Sequence, residues 1–359
     1  MMRGATPAAV RDAIAASDPF PGTRGFAGAL PDGRLVRDVL GREPLFVEGP
    51  DPERAGDWAF DPTALEDPRS VPAGTVIDRT GPSDVWSLPE RLPRDRDEAI
   101  RSLGNAVDAA LESVPSEGLA VAFSGGVDSA LLASALDAPL VTVGFPDAPD
   151  VSAARDVAEV LGPSITVREL SLDDLEAAVP RVATAIGSTN AMDVQIAATL
   201  YFAAETAAAA GHDRVAFGQG ADELFGGYEK IAALDHRVAA DDVRGARREA
   251  LSDLPAGLER DVLAIRAAAV TPVFPYLDDR VLEAALALPE RSIVANGTRK
   301  RGFRRVAADR LPGRVADREK RAMQYGSRVS RELDRLARRA GFKRRMDRHV
   351  TRYVRDRLD

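Results

Sequence analysis

Residues 119–129 read LAVAFSGGVDS, a short apolar run followed by a loop of serine, glycine and aspartate. The run Leu119–Phe123 predicts a buried parallel strand, and the apolar residues after the loop predict a helix. Gly125 and Gly126 allow the backbone to approach a ligand closely and to point N–H groups at it. Ligands of open α/β sheets bind at the carboxyl ends of strands, so the loop is a candidate phosphate site.

The side chains of this loop fit phosphate that is bound together with magnesium. Ser124 and Ser129 supply hydroxyl donors. Asp128 would repel a bare phosphate, so its useful role is to bind Mg²⁺ that the phosphates also hold. The loop lacks the lysine and the spacing of the Walker A motif, which predicts a different phosphate cradle. The structural alternative is a plain glycine turn ahead of a helix.

Strands and helices alternate after this loop. Further strands are predicted at Leu140–Phe145, Ser164–Leu170 and Arg214–Gly218. Helices are predicted at about residues 97–114, 151–161, 172–186 and 192–210. This alternation predicts an α/β fold, with a parallel sheet covered by helices on both faces. The chain after Lys230 predicts a helical C-terminal part.

The first 90 or so residues have a different pattern. They are rich in Gly, Pro and Asp, and their short apolar runs are bounded by turn residues, which predicts a small β-rich domain. Proline and charge become frequent at Pro89–Asp97, a plausible linker. We therefore predict two domains, covering residues 1–95 and 96–359.

Composition limits the classes of function. The chain of 359 residues is 45% hydrophobic, carries no cysteine and has a net charge of −8. The lack of cysteine excludes disulfides, cysteine metal sites and a cysteine nucleophile. The acidic balance weighs against nucleic acid as a partner, and the basic tail Arg331–Arg357 is typical of an amphipathic helix with a charged outer face. We found no apolar run long enough for a membrane span and no signal peptide, which predicts a cytoplasmic protein.

Two segments carry a family resemblance. Ala122–Ser129 resembles the pyrophosphate-binding loop of the PP-loop ATP pyrophosphatases. Residues 218–228, GQGADELFGGY, resemble the second signature of the asparagine synthetase family within that group. Looser similarities to this family, which together extend the resemblance over about residues 99–327, lie at Pro275–Asp278, at Lys300 with Arg304, and at Arg318 with Lys320.

The resemblance implies an ATP-dependent amide ligase that forms AMP. A carboxylate, with aspartate as the leading candidate, would attack the α-phosphorus of ATP, and ammonia or another amine would displace AMP from the acyl-adenylate. ATP and Mg²⁺ are the implied cofactors, and Asp128 and Asp222 are the implied magnesium ligands. The implied nucleotide contacts are Ser124, Gly125, Gly126, Asp128, Ser129, Val143, Gly144 and Gly220.

Three further residues are implied in catalysis. Lys320 would stabilise the negative charge that develops during adenylation or amine attack, and Lys300 would contact phosphate. Gln219 would lie beside the reacting groups. The structural alternatives are a helix cap at Asp222 and solvated surface positions for the two lysines.

The front end resembles a shortened glutaminase domain of the same family, at Gly25–Gly28 and Arg37–Phe46. That domain works through a cysteine exposed by removal of the initiator methionine, whereas residue 2 here is Met2. A thioether has no proton to lose and cannot serve as this nucleophile. We therefore expect an inactive domain, with nitrogen supplied as ammonia or by a separate glutaminase.

Two departures leave the substrate open. Gln219 stands where asparagine synthetases carry a glutamate, and it cannot titrate. Thr271–Val273 stands where the family has a Glu-x-Arg sequence, so an arginine that could pair with a substrate carboxylate is absent there; Arg266 and Asp193 are candidate replacements. The alternatives are a PP-loop ligase that joins a different carboxylate and amine, and a non-catalytic ATP-binding or scaffold protein.

Overall fold

The computed structural model describes residues 1–49, 57–316 and 323–358. The strands, numbered in chain order, are β1 Met2–Arg3, β2 Ala27–Ala29, β3 Leu35–Arg37, β4 Phe46–Glu48, β5 Trp58–Ala59, β6 Pro68–Ser70, β7 Thr75–Asp78, β8 Gly81–Asp84, β9 Leu119–Ala122, β10 Leu140–Gly144, β11 Ile165–Glu169, β12 Arg214–Ala216, β13 Thr271–Val273, β14 Val294–Ala295 and β15 Thr298–Arg299.

The α-helices, numbered in the same way, are α1 Pro7–Ala16, α2 Arg96–Glu112, α3 Val127–Ala135, α4 Pro149–Leu161, α5 Leu172–Ala185, α6 Ala191–Ala209, α7 Ala221–Phe225, α8 Glu229–Ala233, α9 Val243–Arg266, α10 Asp279–Leu286, α11 Glu290–Ile293, α12 Arg301–Ala308, α13 Gly313–Ala316, α14 Met323–Gly326, α15 Val329–Arg339 and α16 His349–Asp356. Short 3₁₀ turns lie at Pro62–Ala64 and Pro275–Leu277.

The chain divides into two compact units, each built from separate stretches of sequence. The first unit comprises Met1–Val114, Gly218–Glu259 and Phe274–Arg310, and the second comprises Pro115–Phe217, Arg260–Val273 and Leu311–Asp359. The predicted division into domains covering residues 1–95 and 96–359 stays a prediction.

The second unit contains the predicted parallel sheet. Within its described residues the strand order is β11-β10-β9-β12-β13, and every neighbouring pair is parallel. Alternate residues of a strand point to opposite faces, and all five residues of β10 are buried, so both faces are covered. Helices α3, α4 and α6 pack against the strands. The α/β prediction is confirmed.

The sheet has one strand more than the sequence pattern indicated. β13 pairs in parallel with β12 at the edge, in the part of the chain that we expected to be helical. It is three residues long and contains Pro272, which lacks the N–H of a central strand and is compatible with an edge position.

Residues 1–95 form a β-rich region, as predicted. One antiparallel sheet has the order β1-β2-β3-β7-β8, and a smaller one has the order β5-β4-β6. Their shared core includes Leu35, Leu45 and Ile77. The region also contains helix α1, which the composition did not reveal; Thr6 caps it by accepting from the Ala9 N–H.

The C-terminal part is helical, as predicted, with α15 and α16 packed on each other in the second unit. Asp334 on α15 pairs with Arg338, Arg344 and His349. The guanidinium of Arg344 is the largest of the influences that hold the pKa of Asp334 well below its usual range. Among the described residues, no helix is both long and apolar enough to cross a membrane.

Candidate active site

The glycine loop of the second unit joins β9 to α3, and its backbone requires glycine. Gly125 has a φ of +70°, and a Cβ there would lie 2.6 Å from the Ala153 carbonyl oxygen. Gly126 is the N-cap residue of α3 and has no side chain to accept from the first-turn N–H groups. The start of α3 therefore presents backbone donors and the positive end of the helix dipole to an anion.

The two serines of the loop have different environments. Ser129 is 6% exposed, and its hydroxyl donates to the Gly126 carbonyl at 3.2 Å and accepts from the Ser124 N–H at 3.3 Å. Ser124 is exposed, and its hydroxyl lies 3.3 Å from that of Ser129. Ser129 thus holds the loop, whereas the Ser124 side chain is exposed. Asp128, half-buried in the first turn of α3, adds a carboxylate at the same end of the helix.

The strand order explains why a ligand site is expected at the carboxyl ends of β9 and β12. The chain runs from β9 outward to β10 and β11, and then returns to add β12 on the other side of β9. Such a reversal of strand order leaves a crevice at the carboxyl ends of the two strands that flank it. Ser124 lies two residues after β9 ends, and Phe217 continues directly from β12 into the segment 218–228.

Val143 and Gly144 end the neighbouring strand β10. Val143 is 5% exposed. A Cβ at Gly144 would lie 2.8 Å from Val151 Cγ2 and 2.9 Å from Ala148 Cβ, so the backbone here lies tight against the start of α4. This close packing explains why residue 144 is a glycine without any contact to a nucleotide.

The turn after β10 is held by a segment that the sequence did not single out. The Phe145 N–H donates to the Ser327 carbonyl at 3.1 Å, and Arg328 donates to the Pro146 carbonyl at 3.1 Å. The carboxylate of Asp150 occupies the position of a Cβ at Gly326. No local pattern pointed to these residues, because the contacts join distant parts of the chain. Lys320, predicted to be catalytic, lies outside the described residues, as does Arg318 of the same motif.

The remaining predicted site residues belong to the first unit. Gly220 has a φ of +85° and caps α7, and a Cβ there would lie 2.9 Å from Leu277 Cγ. Gly226, with a φ of +74°, ends the same helix. A Cβ at Gly227 would overlap the Asp222 carboxylate. Left-handed backbone therefore explains Gly220 and Gly226, and lack of space for a side chain explains Gly227.

Asp222 and Lys300 form an ion pair, with Lys300 Nζ 2.6 Å from Asp222 Oδ1. Lys300 is 2% exposed, which excludes the solvated-surface alternative for this lysine. It sits in the left-handed conformation with a φ of +56° at the start of α12. The ring of Phe303 on α12 stacks on Phe225 of α7 at 4.5 Å, which fixes the two helices that carry the pair.

Gln219 directly precedes Gly220 and is half-buried. Its amide can donate and accept hydrogen bonds but carries no charge at any ordinary pH.

The departure at Thr271–Val273 is now placed in edge strand β13. Of the two candidate replacements, Asp193 accepts hydrogen bonds from Arg260 at 3.2 Å and from the Ser188 hydroxyl at 3.1 Å, in the first turn of α6. These contacts give Asp193 a structural role. Arg266 ends helix α9.

The donor chemistry of the site suits magnesium that is bound mainly through phosphate. Within residues 1–49, 57–316 and 323–358, no cluster of three or more Asp, Glu, His or Cys side chains could form a metal cage. Mg²⁺ usually keeps several waters and takes one or two protein carboxylates together with substrate phosphates. Asp128, at a helix N-terminus that can hold phosphate, fits that arrangement.

Comparison with known proteins assigns the chain to a family. The sequence profile of asparagine synthase matches residues 99–269 and 244–356, well over half of the chain. The chain belongs to the asparagine synthase family. A putative glutamine-hydrolysing asparagine synthetase of Methanocaldococcus jannaschii is 29% identical over 285 residues, covering 68% of this chain and 52% of that protein.

Two probable glutamine-hydrolysing asparagine synthetases show shorter matches. That of Schizosaccharomyces pombe is 28% identical over 53% of this chain and 38% of its own length. That of Dictyostelium discoideum is 30% identical over 30% of this chain and 23% of its own length. The chain thus spans about half, or less, of the length of the curated relatives it matches.

Proposed function

We propose that this member of the asparagine synthase family is an ATP-dependent, AMP-forming amide ligase. It activates a carboxylate, with aspartate as the leading candidate, as an acyl-adenylate and transfers ammonia to it. The observation that carries the proposal is the geometry of the glycine loop, in which Gly125 and Gly126 open the start of α3 to an anion. Such a cradle suits a leaving pyrophosphate, because it supplies several fixed donors without a covalent bond.

The loop residues divide the work of phosphate binding. The N–H groups at the start of α3 and the Ser124 hydroxyl donate to pyrophosphate oxygens, while Ser129 keeps the loop in shape. Asp128 and Asp222 are the magnesium ligands of the proposal. Magnesium, when bound, neutralises charge on the phosphates and favours departure of pyrophosphate.

Lys300 and Lys320 have different parts in the proposal. Lys300 holds Asp222 through their ion pair, and its ammonium adds positive charge on the side of the Gly218–Tyr228 segment. Lys320 stabilises the negative charge that develops on the phosphate or on the tetrahedral carbon. Its role rests on the family resemblance of the Arg318–Lys320 motif.

Gln219 bears on which group accepts the proton that is released in the amide-forming step. An attacking ammonia must lose a proton, and a glutamine side chain cannot accept one. The proton therefore goes to water, to a phosphate oxygen of the leaving AMP, or to a carboxylate elsewhere in the protein. This step is expected to be slower than adenylation.

The nitrogen source follows from the same family and from the missing nucleophile. The chain has no cysteine that could act as this nucleophile. The proposal is that the protein does not hydrolyse glutamine and takes ammonia from solution or from a separate glutaminase.

A second candidate function is a PP-loop ligase for a different carboxylate and amine. Two observations favour it. Gln219 replaces an acid, and strand β13 supplies Thr271 and Val273 where the family carries a Glu-x-Arg sequence. An altered site of this kind would recognise a substrate other than aspartate.

The experiment is a product analysis with purified protein, ATP, Mg²⁺ and a panel of carboxylates, with ammonia and glutamine tested separately. The proposal predicts AMP, pyrophosphate and asparagine from aspartate and ammonia, and no glutamate from glutamine. AMP formation with another acid alone would support the second candidate. Tight ATP binding without AMP from any acid would indicate a non-catalytic protein and contradict both.

A further inference from the structure

A buried ion cluster joins the front end of the first unit to a segment far along the chain. Arg42 Nε donates to Asp38 Oδ1 at 2.8 Å, and Arg42 Nη1 donates to Asp279 Oδ1 at 2.7 Å. The three side chains are 0–2% exposed. Burying charge at this depth is costly unless every charged group is paired and hydrogen-bonded, so the geometry of the cluster has little freedom.

Backbone groups add further hydrogen bonds to the cluster. Further N–H groups donate to the two carboxylates: those of Phe26, Leu40 and Arg42 to Asp38, and that of Thr23 to Asp279. Burial opposes the charge of Arg42, but Asp38 and Asp279 outweigh it and raise the pKa of Arg42 above its usual range. The guanidinium is therefore held charged and in one orientation.

Arg42 also contacts the turn that supports the glycine signature. Its Nη1 donates to the Leu277 carbonyl at 2.7 Å. The side chain of Leu277 fills the space where a Cβ of Gly220 would lie. Gly220 in turn begins α7, the helix that carries Asp222.

We propose that Arg42 is a positioning residue of the candidate active site. Through Leu277 it fixes the backbone at Gly220 and thereby the orientation of Asp222. The front end then has a role in this chain that needs no glutaminase chemistry. The inference rests on the proposed function in one respect, namely the use of Asp222 in binding magnesium with ATP.

The test compares Arg42→Met and Arg42→Lys with a matched control, Arg34→Met. Arg34 pairs with Asp32 at the surface of the same β-rich region, so its replacement removes an arginine ion pair without touching the cluster. Two quantities are measured well below the unfolding temperature of each variant. They are the amide hydrogen exchange of peptides covering residues 218–228 and the kcat and KM of Mg²⁺-dependent ATP–pyrophosphate exchange.

The inference predicts that Arg42→Met speeds amide exchange in residues 218–228 by about tenfold, because α7 loses its support. It also predicts a fall in kcat of ~10-fold to 10²-fold, since displacements of about 1 Å have costs of this size. Arg42→Lys should be intermediate, because an ammonium cannot reproduce the forked contacts of a guanidinium. Arg34→Met should match the parent protein in both measurements.

The two readouts separate the inference from the proposed function. Slow, unchanged amide exchange in residues 218–228 of Arg42→Met would overturn the inference, even if the melting temperature fell. Faster exchange there, in a protein whose parent has no ATP–pyrophosphate exchange, would support the positioning role and contradict the proposed function. If Arg42→Met does not fold, Asp279→Asn is tested instead, because it keeps the shape of the side chain and removes one charge. The same amide-exchange and ATP–pyrophosphate exchange measurements apply to it, with the same expected and contradicting outcomes.

Discussion

Lys300 Nζ lies 2.6 Å from Asp222 Oδ1, so a lysine and an aspartate that the family resemblance assigns to phosphate and to magnesium form one ion pair, with side chains 3% and 14% exposed. The pair has a structural consequence, because the Asp222 carboxylate offsets the cost of burying the Lys300 ammonium. It also has a chemical one. If Asp222 binds magnesium, as we propose, Lys300 acts on the site through the orientation of Asp222, and any change that separates them should alter magnesium-dependent steps.

Gly227→Ala tests this pair without changing either charge. A Cβ at Gly227 would overlap the Asp222 carboxylate and crowd Lys300 Cε. We expect ATP–pyrophosphate exchange to fall by ~10²-fold, the scale of a 1 Å misplacement. Gly313→Ala is the control, since a Cβ there meets nothing within 4 Å. Equal activity of the two variants would contradict a role for the pair.

Asp128→Asn tests the proposed metal ligand of the glycine loop. The amide keeps the size of the side chain and removes its charge, so Mg²⁺ is bound less well while the loop keeps its shape. We expect a loss of ~3 kcal/mol in transition-state stabilisation, measured as kcat/KM of ATP–pyrophosphate exchange. Asp137→Asn, an exposed aspartate in the same unit, is the control. Near-normal exchange in Asp128→Asn would refute the assignment.

Gly326→Ala tests the contacts that residues 326–328 make with the turn after strand β10. The added Cβ would displace the Asp150 carboxylate, and overpacking of this kind costs ~1–3 kcal/mol. Because the neighbouring Ser327 carbonyl accepts from the Phe145 N–H, the turn next to Val143 and Gly144 should shift. We expect ATP to bind about tenfold more weakly, measured by isothermal titration. Unaltered ATP affinity would show that this turn is not part of the nucleotide site.

The pH dependence of stability can be tested at the start of α5. The Ser171 hydroxyl and N–H both donate to Asp174, and with Arg168 they lower the pKa of Asp174 despite its burial. A lowered carboxyl pKa adds stability above the unfolded pKa of about 4, and that stability is lost as the pH falls through the folded value. Ser171→Ala should therefore cost ~1 kcal/mol in denaturant unfolding at pH 7 and less at pH 3. An equal cost at both values would contradict this linkage.

Gln219→Glu tests the substrate question. If the site is an asparagine synthetase with a slow amide-forming step, an acid at residue 219 should raise asparagine formation from aspartate and ammonia by ~10²-fold, the worth of a positioned base. If the site serves another substrate, the same change should lower its activity. An unchanged rate of both half-reactions would mean that Gln219 lies away from the chemistry.

Strands and helices that combine an apolar pattern with turn residues were predictable. β9, β10, β11 and β12 all lie within the predicted ranges. β13 was missed because three residues with a proline give no periodic signal, and its place depends on pairing with β12. Helix α1 was missed in a region whose glycine and proline content indicated strands and turns.

Within the candidate site, residues whose role is local were predictable and long-range partners were not. Gly125 and Gly126 follow from the strand–loop–helix pattern, because the backbone there must turn and approach an anion. The ion pair of Lys300 with Asp222 and the cluster around Arg42 join residues far apart in sequence. Such contacts depend on the packed tertiary structure, and no short spacing encodes them.

ATP–pyrophosphate exchange is the measurement that tests the central claim most directly. Purified protein is incubated with ATP, Mg²⁺, labelled pyrophosphate and single carboxylates, without ammonia. If the glycine loop binds the leaving pyrophosphate of an acyl-adenylate reaction, label should enter ATP when the correct acid is present, with aspartate the first expectation. Asp128→Asn should lower the exchange by ~10²-fold. Failure of every acid to promote exchange, in a protein shown to bind ATP, would contradict the account.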